Sequence, residues 1–386
     1  MRVGLVAEYC RPWPGGIPEH VHHEAAELRR RGYKVVVLTG PASFWPGRPE
    51  PRVLRLGVAL AFSRNGVRSK ITLGRYLYGM SAILRRLRLD VIHVHGPMDT
   101  LPGLAAALAS SVATVGTFHA NFGPSVLPEL LYRGLRPFSR RAFVRLHVRT
   151  AVSEEARRSI ARYFPADYEI VPNGVDVDRF HPEVEPIEHA PGGGPRLLFV
   201  GRADARKGLP LLLSAFARVR RTLNGARLTV VGRLPPRQIE RFTAALGRDA
   251  GAVTFTGYVA PALLPRYYAA CDVVCSPATR HESQGVVLLE GMAAGRVPVA
   301  FDIPGYRDVI SHADDGWLVA DVGAEPLATA LIHVLSDAEL RARLGTAARR
   351  SALRYAWPGV VDRLEACFAR ARHAVEAEGR RPAHHT

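Results

Sequence analysis

Two glutamates in the second half of the chain flank the start of an apolar run. Glu282 precedes Gly285, and Glu290 follows the run Val286 to Leu289. If a helix begins near Gln284, Glu282 lies in the preceding loop beside free helix amides, and Glu290 lies two turns along the helix. A carboxylate beside a buried apolar turn needs a hydrogen-bonding partner, such as the hydroxyl groups of a ribose. The spacing therefore favours a bound ligand over a pair of solvated glutamates.

Cations follow an apolar segment earlier in the same half, Leu197 to Val200. Arg202 comes just after this segment, and Arg206 and Lys207 precede Gly208 at the start of a helical pattern. Cations between a strand end and a helix N-terminus suit a diphosphate whose negative charge grows as a bond to it breaks. The alternative is a group of solvated surface cations.

A glycine-containing loop follows the first strand pattern. Pro14, Gly15 and Gly16 stand between that pattern and the first helical one, where bare amides can approach a phosphate or a sugar. The loop matches neither the dinucleotide-binding nor the P-loop pattern, so a purely structural turn is equally consistent with it.

Metal-ligating residue types are present but scattered. His93 and His95 share one face of a short apolar strand, a spacing that could hold a metal, but no third ligand is evident and no metal site is predicted. The four cysteines are predicted to be reduced core thiols: Cys10, Cys271, Cys275 and Cys367.

Strands and helices alternate in both halves of the chain, which predicts two α/β domains with doubly wound, Rossmann-like parallel sheets. The 386 residues suit two domains. We expect the first over residues 1–181, a Pro/Gly-rich linker over 182–195 and the second over 196–357. The last segment, 358–386, is expected to form a helix that crosses back to the first domain and a frayed tail. Such sheets bind ligands outside their carboxyl ends, so the site is expected in a cleft between the domains.

The net charge of +17 is concentrated in the first half of the chain. No acidic residue occurs between Glu50 and Asp90 or between Glu129 and Glu154. Arginines in the second of these stretches recur at helical spacing: Arg133, Arg136, Arg140, Arg141, Arg145 and Arg149. The spacing predicts either an anion-binding helix face or a solvated one. A nucleic-acid-binding protein is disfavoured because no recognition motif accompanies the charge.

The chain opens on an apolar strand pattern without the features of a secretion signal. Arg, Pro or Gly interrupts every apolar run, so no membrane-spanning helix is predicted. An intracellular protein is expected.

Several of these segments together resemble glycosyltransferase family 4. Pro172 to Asp176 resembles its P-N-G-V-D segment, and Gly201 to Gly208 resembles its G-R-x(4,5)-K-G loop. Glu282 to Glu290 resembles its E-x7-E element. The P-G-G loop, the strand Asp90 to His95 and the tripeptide Thr117-Phe118-His119 also look like the family, especially its phosphatidylinositol mannosyltransferase branch.

The resemblance implies a GT-B fold, retention of anomeric configuration, and no cofactor or divalent metal. The implied catalytic residues are His119, Arg202, Lys207 and Glu282. The implied donor-binding residues are Gly15, Gly16, Arg202, Lys207, Gly257, Val259, Glu282, Ser283, Gln284, Gly285, Val286 and Glu290. The acceptor or membrane side is expected to involve His95, Arg133, Arg136, Arg140, Arg141 and Arg145.

Within these sets, the resemblance assigns Arg202 and Lys207 to the diphosphate, Glu290 to the ribose and Glu282 to the sugar. His119 would line the sugar and acceptor side. Gln284 stands where the family often has an aromatic residue, which leaves the donor sugar open.

The expected activity is transfer of a hexose, with mannose favoured, from a GDP-sugar or alternatively a UDP-sugar. The expected acceptor is lipid-linked or otherwise anionic, reached by peripheral attachment to the cytoplasmic face of the membrane. A soluble or polysaccharide acceptor and a nucleotide-sugar epimerase on the same fold are the alternatives.

Overall fold

A computed structural model describes residues 1–11, 13, 15–41, 52–64, 67–119, 137–188, 193–202 and 205–379. The chain forms two compact units. The first comprises Met1–Ser63, Arg68–Asn173 and Trp357–Thr386, and the second comprises Arg64–Val67 and Gly174–Ala356. Both are α/β units built on a parallel sheet, as the alternation of strands and helices predicts.

Among the described residues, nine strands belong to the first part of the chain: β1 (Arg2–Ala7), β2 (Lys34–Thr39), β3 (Val53–Arg55), β4 (Val58–Arg64), β5 (Val67–Leu73), β6 (Val91–His95), β7 (Ala113–Phe118), β8 (Val148–Ala151) and β9 (Glu169–Ile170). Strands β4 and β5 form a small separate sheet. The other seven form one parallel sheet in the order β3-β2-β1-β6-β7-β8-β9. Every residue of β6 and β7 is buried, as expected for parallel strands covered on both faces.

Helices in this part of the chain are α1 (Gly16–Arg30), α2 (Tyr76–Leu87), α3 (Leu101–Ala109), α4 (137–144) and α5 (Glu154–Ala161). Side-chain caps begin two of them. The Thr100 hydroxyl accepts a hydrogen bond from the Gly103 amide at α3, and Ser153 does the same for Ala156 at α5. Helix α1 turns Val21, Ala25 and Leu28 into the core.

Six further strands lie in the described part of the second unit: β10 (Arg196–Val200), β11 (Arg227–Val231), β12 (Val253–Gly257), β13 (Val273–Ser276), β14 (Val297–Phe301) and β15 (Trp317–Val319). They form one parallel sheet in the order β12-β11-β10-β13-β14-β15. Its helices are α6 (Leu209–Thr222), α7 (Pro236–Leu246), α8 (Leu264–Ala269), α9 (Val286–Ala293), α10 (Pro304–Arg307), α11 (Ala324–Ser336) and α12 (Ala338–Leu353). Short 3-10 turns span Ala205–Lys207, Gly247–Ala252 and Pro261–Leu263.

The strand order reverses direction once in each large sheet. The reversal lies between β1 and β6 in the first unit and between β10 and β13 in the second. Doubly wound sheets bind ligands at such switch points, outside the carboxyl ends of the strands. Within each unit, the residues that follow these strands are therefore the candidates for function.

The boundary between the units lies earlier than the Pro/Gly-rich segment predicted as a linker over 182–195. It falls between Asn173 and Gly174, because Val175 and Phe180 already belong to the core of the second unit. The amide of Ile187, inside the predicted linker, donates to the carbonyl of Arg266. Over 182–188, Pro182 and Pro186 mark irregular backbone, and the composition does not reveal that this backbone packs on the second unit.

The last helix, α13 (Trp357–Gly379), belongs to the first unit. Its buried residues Val361, Leu364 and Phe368 join the core formed by α1, β1 and β2. The guanidinium of Arg31, just after α1, contacts Asp362 and Glu365 of α13. The segments 1–11 and 357–379 therefore belong to the same unit.

The predicted single helical face of arginines is wrong beyond residue 144. Arg140 and Arg141 are exposed on α4, but Arg145 follows that helix and donates to the carbonyl of Leu108. Arg149 lies on β8 with its guanidinium 4.6 Å from the centre of the Phe143 ring. The chain leaves the helix because β8 pairs with β7 in the sheet. Two further members of the set, Arg133 and Arg136, lie outside the described residues.

Two other predictions concern the whole chain. All four cysteines are buried and free, which confirms the prediction of reduced core thiols. Over the described residues, no helix is both long enough and apolar enough to cross a membrane.

Candidate active site

Gly208, in the segment between β10 and α6, packs closely against Pro277, which directly follows β13. Arg202 is exposed in this loop, which continues to Gly208, the residue that caps α6. Gly208 has a φ of +70°, and a Cβ atom there would lie 1.8 Å from the carbonyl oxygen of Pro277. No side chain fits at this position, so the close approach of the two loops requires glycine.

An ion pair joins the cationic loop to the first glutamate of the E-x7-E element. The ammonium nitrogen of Lys207 lies 2.8 Å from Oε1 of Glu282, and both side chains are more than four-fifths buried. Arg206 reinforces the contact by donating to the carbonyl oxygen of His281 over 2.9 Å. The two motifs that the sequence places 75 residues apart therefore form one site at the switch point of the second sheet.

Helix α9 begins at Val286, where the sequence pattern predicts a helix over Val286 to Ala294, and not near Gln284. Gly285 caps it with a φ of +79°, and a Cβ atom there would lie 2.6 Å from the Tyr306 ring. Gln284 is buried, whereas Ser283 and Val286 are partly exposed. The hydroxyl groups of Tyr306 and Ser276 lie 2.6 Å apart. This hydrogen bond fixes the Tyr306 ring against which Gly285, the first residue before the helix, packs.

Glu290 has the hydrogen-bonding partner that its position requires. The Tyr268 hydroxyl donates to Oε2 of Glu290 over 2.6 Å. Burial and the negative charge of Glu290 raise the pKa of Tyr268 well above its ordinary value, so the phenol keeps its proton as a donor. Sequence reasoning missed Tyr268, because its contact with Glu290 depends on the packing of α8 against α9.

Three glycines line the carboxyl edge of the sheet beside this site. The amide of Gly232 donates to the carbonyl of Gly257 over 2.9 Å. A Cβ atom on Gly232 would lie 1.8 Å from the carbonyl oxygen of Gly201. The ends of β10, β11 and β12 thus expose backbone rather than side chains. Val259 follows, partly buried.

The predicted donor-side residues fall into two places. Those numbered from 202 to 290 gather at the carboxyl edge of the second sheet, around β10 to β13. Gly15 and Gly16 lie in the first unit, where Gly15 caps α1 with a φ of +143°.

His119 and His95 meet at the carboxyl edge of the first sheet. His95 is the last residue of β6, and His119 directly follows the neighbouring strand β7. Nδ1 of His95 lies 2.9 Å from Nε2 of His119. His119 is 8% exposed. Burial, reinforced by the nearby histidines His20 and His95, lowers the pKa of His119 well below its ordinary value and keeps its imidazole neutral.

A buried polar cluster surrounds these two histidines. Oε1 of Glu24 lies 2.6 Å from Nδ1 of His93, whose Nε2 lies 2.5 Å from the Thr117 hydroxyl. Nδ1 of His20 lies 2.9 Å from Oδ1 of Asn173. Sequence reasoning missed the cluster, although His20 and Glu24, four residues apart on the apolar face of α1, were its signal. The structure also places Glu24 beside both His93 and His95, a neighbour that was not evident from the sequence.

Comparisons with known proteins agree with this architecture. Residues 14–179 match the family described as Glycosyltransferase Family 4, and residues 181–351 match Glycosyl transferases group 1. A glycosyltransferase structure from Rickettsia africae is similar over 96% of this chain and 98% of its own, with a TM-score of 0.75 and 15% identity.

Sequence relatives are closer. A phosphatidyl-myo-inositol mannosyltransferase of Mycolicibacterium smegmatis is 33% identical over 92% of this chain and 90% of its own length. A GDP-mannose-dependent alpha-mannosyltransferase of the same organism is 30% identical over 94% of this chain and 96% of its own length. The two doubly wound units define a GT-B glycosyltransferase. The chain belongs to glycosyltransferase family 4 and is similar to its phosphatidylinositol mannosyltransferase branch.

Proposed function

We propose that this glycosyltransferase moves a mannosyl group from GDP-mannose to an inositol phospholipid or a similar lipid-linked acceptor, with retention of anomeric configuration. The observation that carries the proposal is the 33% identity, over 92% of the chain, to a protein named for that transfer. The name of the second relative supports GDP-mannose as the donor. A soluble or polysaccharide acceptor is the main alternative.

The second unit is the donor side in this proposal. Arg202 and Lys207 neutralise the diphosphate, and the N-termini of α6 and α9 direct their amides toward the same negative charge. Glu290, oriented by Tyr268, accepts hydrogen bonds from the ribose. Glu282 binds sugar hydroxyls and positions Lys207 through their 2.8 Å ion pair.

The reaction breaks the bond between the sugar C1 and the diphosphate oxygen. The acceptor hydroxyl attacks C1 from the same face, and its proton passes to the leaving phosphate oxygen. Cationic side chains stabilise the charge on that oxygen, so no divalent cation is needed at the diphosphate. His119, neutral and buried, lines the sugar and acceptor side.

A thermal-shift panel tests the donor. GDP, GDP-mannose, UDP and UDP-glucose are each added at increasing concentration while unfolding is followed. A ligand at a hundred times its dissociation constant stabilises its protein by about 2.7 kcal/mol. GDP and GDP-mannose should therefore raise the melting temperature by about 5 °C or more at saturation. A shift with the uridine nucleotides alone would contradict the proposed donor.

Surface features of the first unit support contact with an anionic membrane. Helix α4 exposes Phe138 (58%) and Val144 (75%) beside the exposed arginines Arg140 and Arg141. Apolar side chains next to cations are the composition of helices that lie on a bilayer surface. Each arginine near an anionic surface contributes about 1 kcal/mol.

Changing Arg140 and Arg141 together to Ser should weaken binding to anionic liposomes roughly 30-fold, as expected for a loss of about 2 kcal/mol. Co-sedimentation with anionic and neutral liposomes measures the effect, and wild-type binding should fade as salt rises. Arg145 is left unchanged because it holds the Leu108 carbonyl. Arg237 and Arg248, both exposed in the second unit, are changed to Ser as a control of equal charge. Equal binding of the wild type to both lipids would favour a soluble acceptor.

A further inference from the structure

Three buried ligand atoms converge in the core of the first unit. Oε2 of Glu24 lies 3.6 Å from Nε2 of His20 and 3.2 Å from Nε2 of His95. One ligand atom from each of the three residues lies within 4.8 Å of those of the other two, and the three side chains are at most 1% exposed. None of the three atoms has a hydrogen-bonding partner in standard geometry, although Oε2 of Glu24 and Nε2 of His95 lie within hydrogen-bonding distance of each other. One such orphaned atom costs about 1–3 kcal/mol, so three together need an explanation.

The proton positions sharpen the problem at His20. Its Nδ1 contacts the Asn173 amide oxygen, which can only accept, so Nδ1 carries the hydrogen. A neutral imidazole that donates from Nδ1 has a lone pair on Nε2. This lone pair faces a carboxylate oxygen, which also only accepts. Two acceptors placed opposite each other in a dry core indicate a missing cation between them.

The two distances from Glu24 to the histidine nitrogens match the edges of a metal coordination shell. Zinc bonds to imidazole nitrogen and carboxylate oxygen are about 2.0–2.2 Å, so neighbouring ligand atoms in a tetrahedral site lie roughly 3.4 Å apart. The observed separations of 3.2 Å and 3.6 Å lie on either side of that value. One ion at the centre would satisfy all three orphaned atoms.

The second contacts of the three residues also fit a metal site. Ligating histidines usually donate their other N–H to an oxygen or nitrogen acceptor, and ligating carboxylates are themselves hydrogen-bonded. Nδ1 of His20 meets Asn173, and Nδ1 of His95 meets Nε2 of His119. Oε1 of Glu24 meets His93. In each of the three side chains, the polar atom that would not bind the metal contacts a neighbouring residue, and this contact fixes the orientation of the side chain.

We propose that His20, Glu24 and His95 bind one divalent transition-metal ion, with Zn²⁺ the best match to two imidazoles and a carboxylate. Mg²⁺ and Ca²⁺ fit poorly because they prefer an all-oxygen shell. All three ligands belong to the first unit, whereas Arg202 and Lys207, which bind the diphosphate in the proposed function, belong to the second. The ion would fix the ring of His95 and, through Nδ1, the position of His119.

The competing account is a chain of hydrogen bonds without metal. His119 would donate to Nδ1 of His95, whose Nε2–H would then donate to Glu24 over 3.2 Å. This account leaves Nε2 of His20 without a partner among the described residues. It predicts no metal in the protein, so metal content separates the two accounts.

The test is metal analysis of the full chain, purified without a polyhistidine tag and without chelator. We expect about one zinc per chain in the wild type, as for a site with three protein ligands. Glu24→Gln and His20→Gln should each reduce the zinc content at least tenfold. His22→Gln, on the same helix but outside the cluster, is the matched control and should keep its zinc.

A second measurement does not depend on the folding of the variants. Wild-type apoprotein is titrated with Co²⁺, which should give the visible absorption of a tetrahedral site and saturate at about one equivalent. Zn²⁺ should abolish this absorption and raise the melting temperature of the apoprotein. A wild type without bound metal, without Co²⁺ absorption and without a Zn²⁺-induced thermal shift would overturn the proposal. Neither readout involves sugar transfer, so failure here leaves the proposed function untouched.

Discussion

Lys207→Ala and Arg202→Ala should each lower the turnover number by about two to three orders of magnitude, the usual effect of removing a group that stabilises transition-state charge. In the proposed reaction the diphosphate gains negative charge as the sugar leaves, and these two cations are the charge partners. Lys207 is held beside the start of α6 by its 2.8 Å contact with Glu282. Steady-state kinetics with GDP-mannose measures the effect.

The controls separate loss of charge from loss of structure. Arg221→Ala removes an exposed cation near the end of α6 and should leave turnover within about twofold, as for surface changes away from a site. Lys207→Ala also leaves the Glu282 carboxylate without its ion-pair partner. The double variant Lys207→Ala/Glu282→Gln, in which residue 282 carries no charge, is therefore compared with each single variant. Near-normal turnover in a folded Lys207→Ala or Arg202→Ala protein would remove that residue from the site.

Substitution of the two glutamates of the E-x7-E element should have different effects on GDP binding and on turnover. Glu290→Ala should weaken GDP binding about 10- to 100-fold, because a hydrogen bond to a charged group contributes about 1.5–3 kcal/mol. Glu282→Ala should leave GDP affinity nearly unchanged and lower turnover, since this carboxylate contacts the sugar and Lys207 in the proposed site. Calorimetric titration with GDP and steady-state kinetics give the two quantities.

Tyr268→Phe is the matched control for Glu290. It removes the hydroxyl that orients the carboxylate over 2.6 Å but keeps the carboxylate itself. We expect a smaller loss of GDP affinity than in Glu290→Ala. Equal losses of GDP affinity in Glu282→Ala and Glu290→Ala would contradict the division of roles.

Buried parallel strands were predictable because they form nearly continuous apolar runs. The sequence pattern predicts strands over Arg196 to Val200, Arg227 to Val231 and Val297 to Phe301, and β10, β11 and β14 have these bounds. Strands β8 (Val148–Ala151) and β9 (Glu169–Ile170) were missed, since they are short and contain charged residues. Their place in the sheet depends on pairing with β7, which periodicity along the chain does not encode.

The candidate site was only partly predictable for a similar reason. The sequence motifs identify Lys207, Glu282 and Glu290, but the contacts that orient them come from other segments of the chain. Tyr268 lies 22 residues from Glu290. The cluster around Glu24 joins α1, β6 and the residue that precedes the unit boundary, Asn173. Such long-range partners require the topology of the sheet.

The helical spacing of the arginines was misleading because it continues past the end of a helix. Ala142 and Phe143 are buried with Leu146, and the chain then turns into β8. Arg145 and Arg149 therefore contact backbone and an aromatic ring of the first unit. The spacing of arginines along the sequence does not show where the packing of the chain ends a helix.

The most direct test of the central claim is transfer itself. The protein is incubated with GDP-mannose and vesicles that contain phosphatidylinositol, with and without added Mg²⁺, and the lipid product is analysed by mass and by the anomeric configuration of its sugar. We predict a mannosylated lipid whose linkage keeps the α configuration of the donor, formed at the same rate without Mg²⁺. A β-linked product, or transfer that occurs only with a different donor or only to a soluble acceptor, would contradict the account.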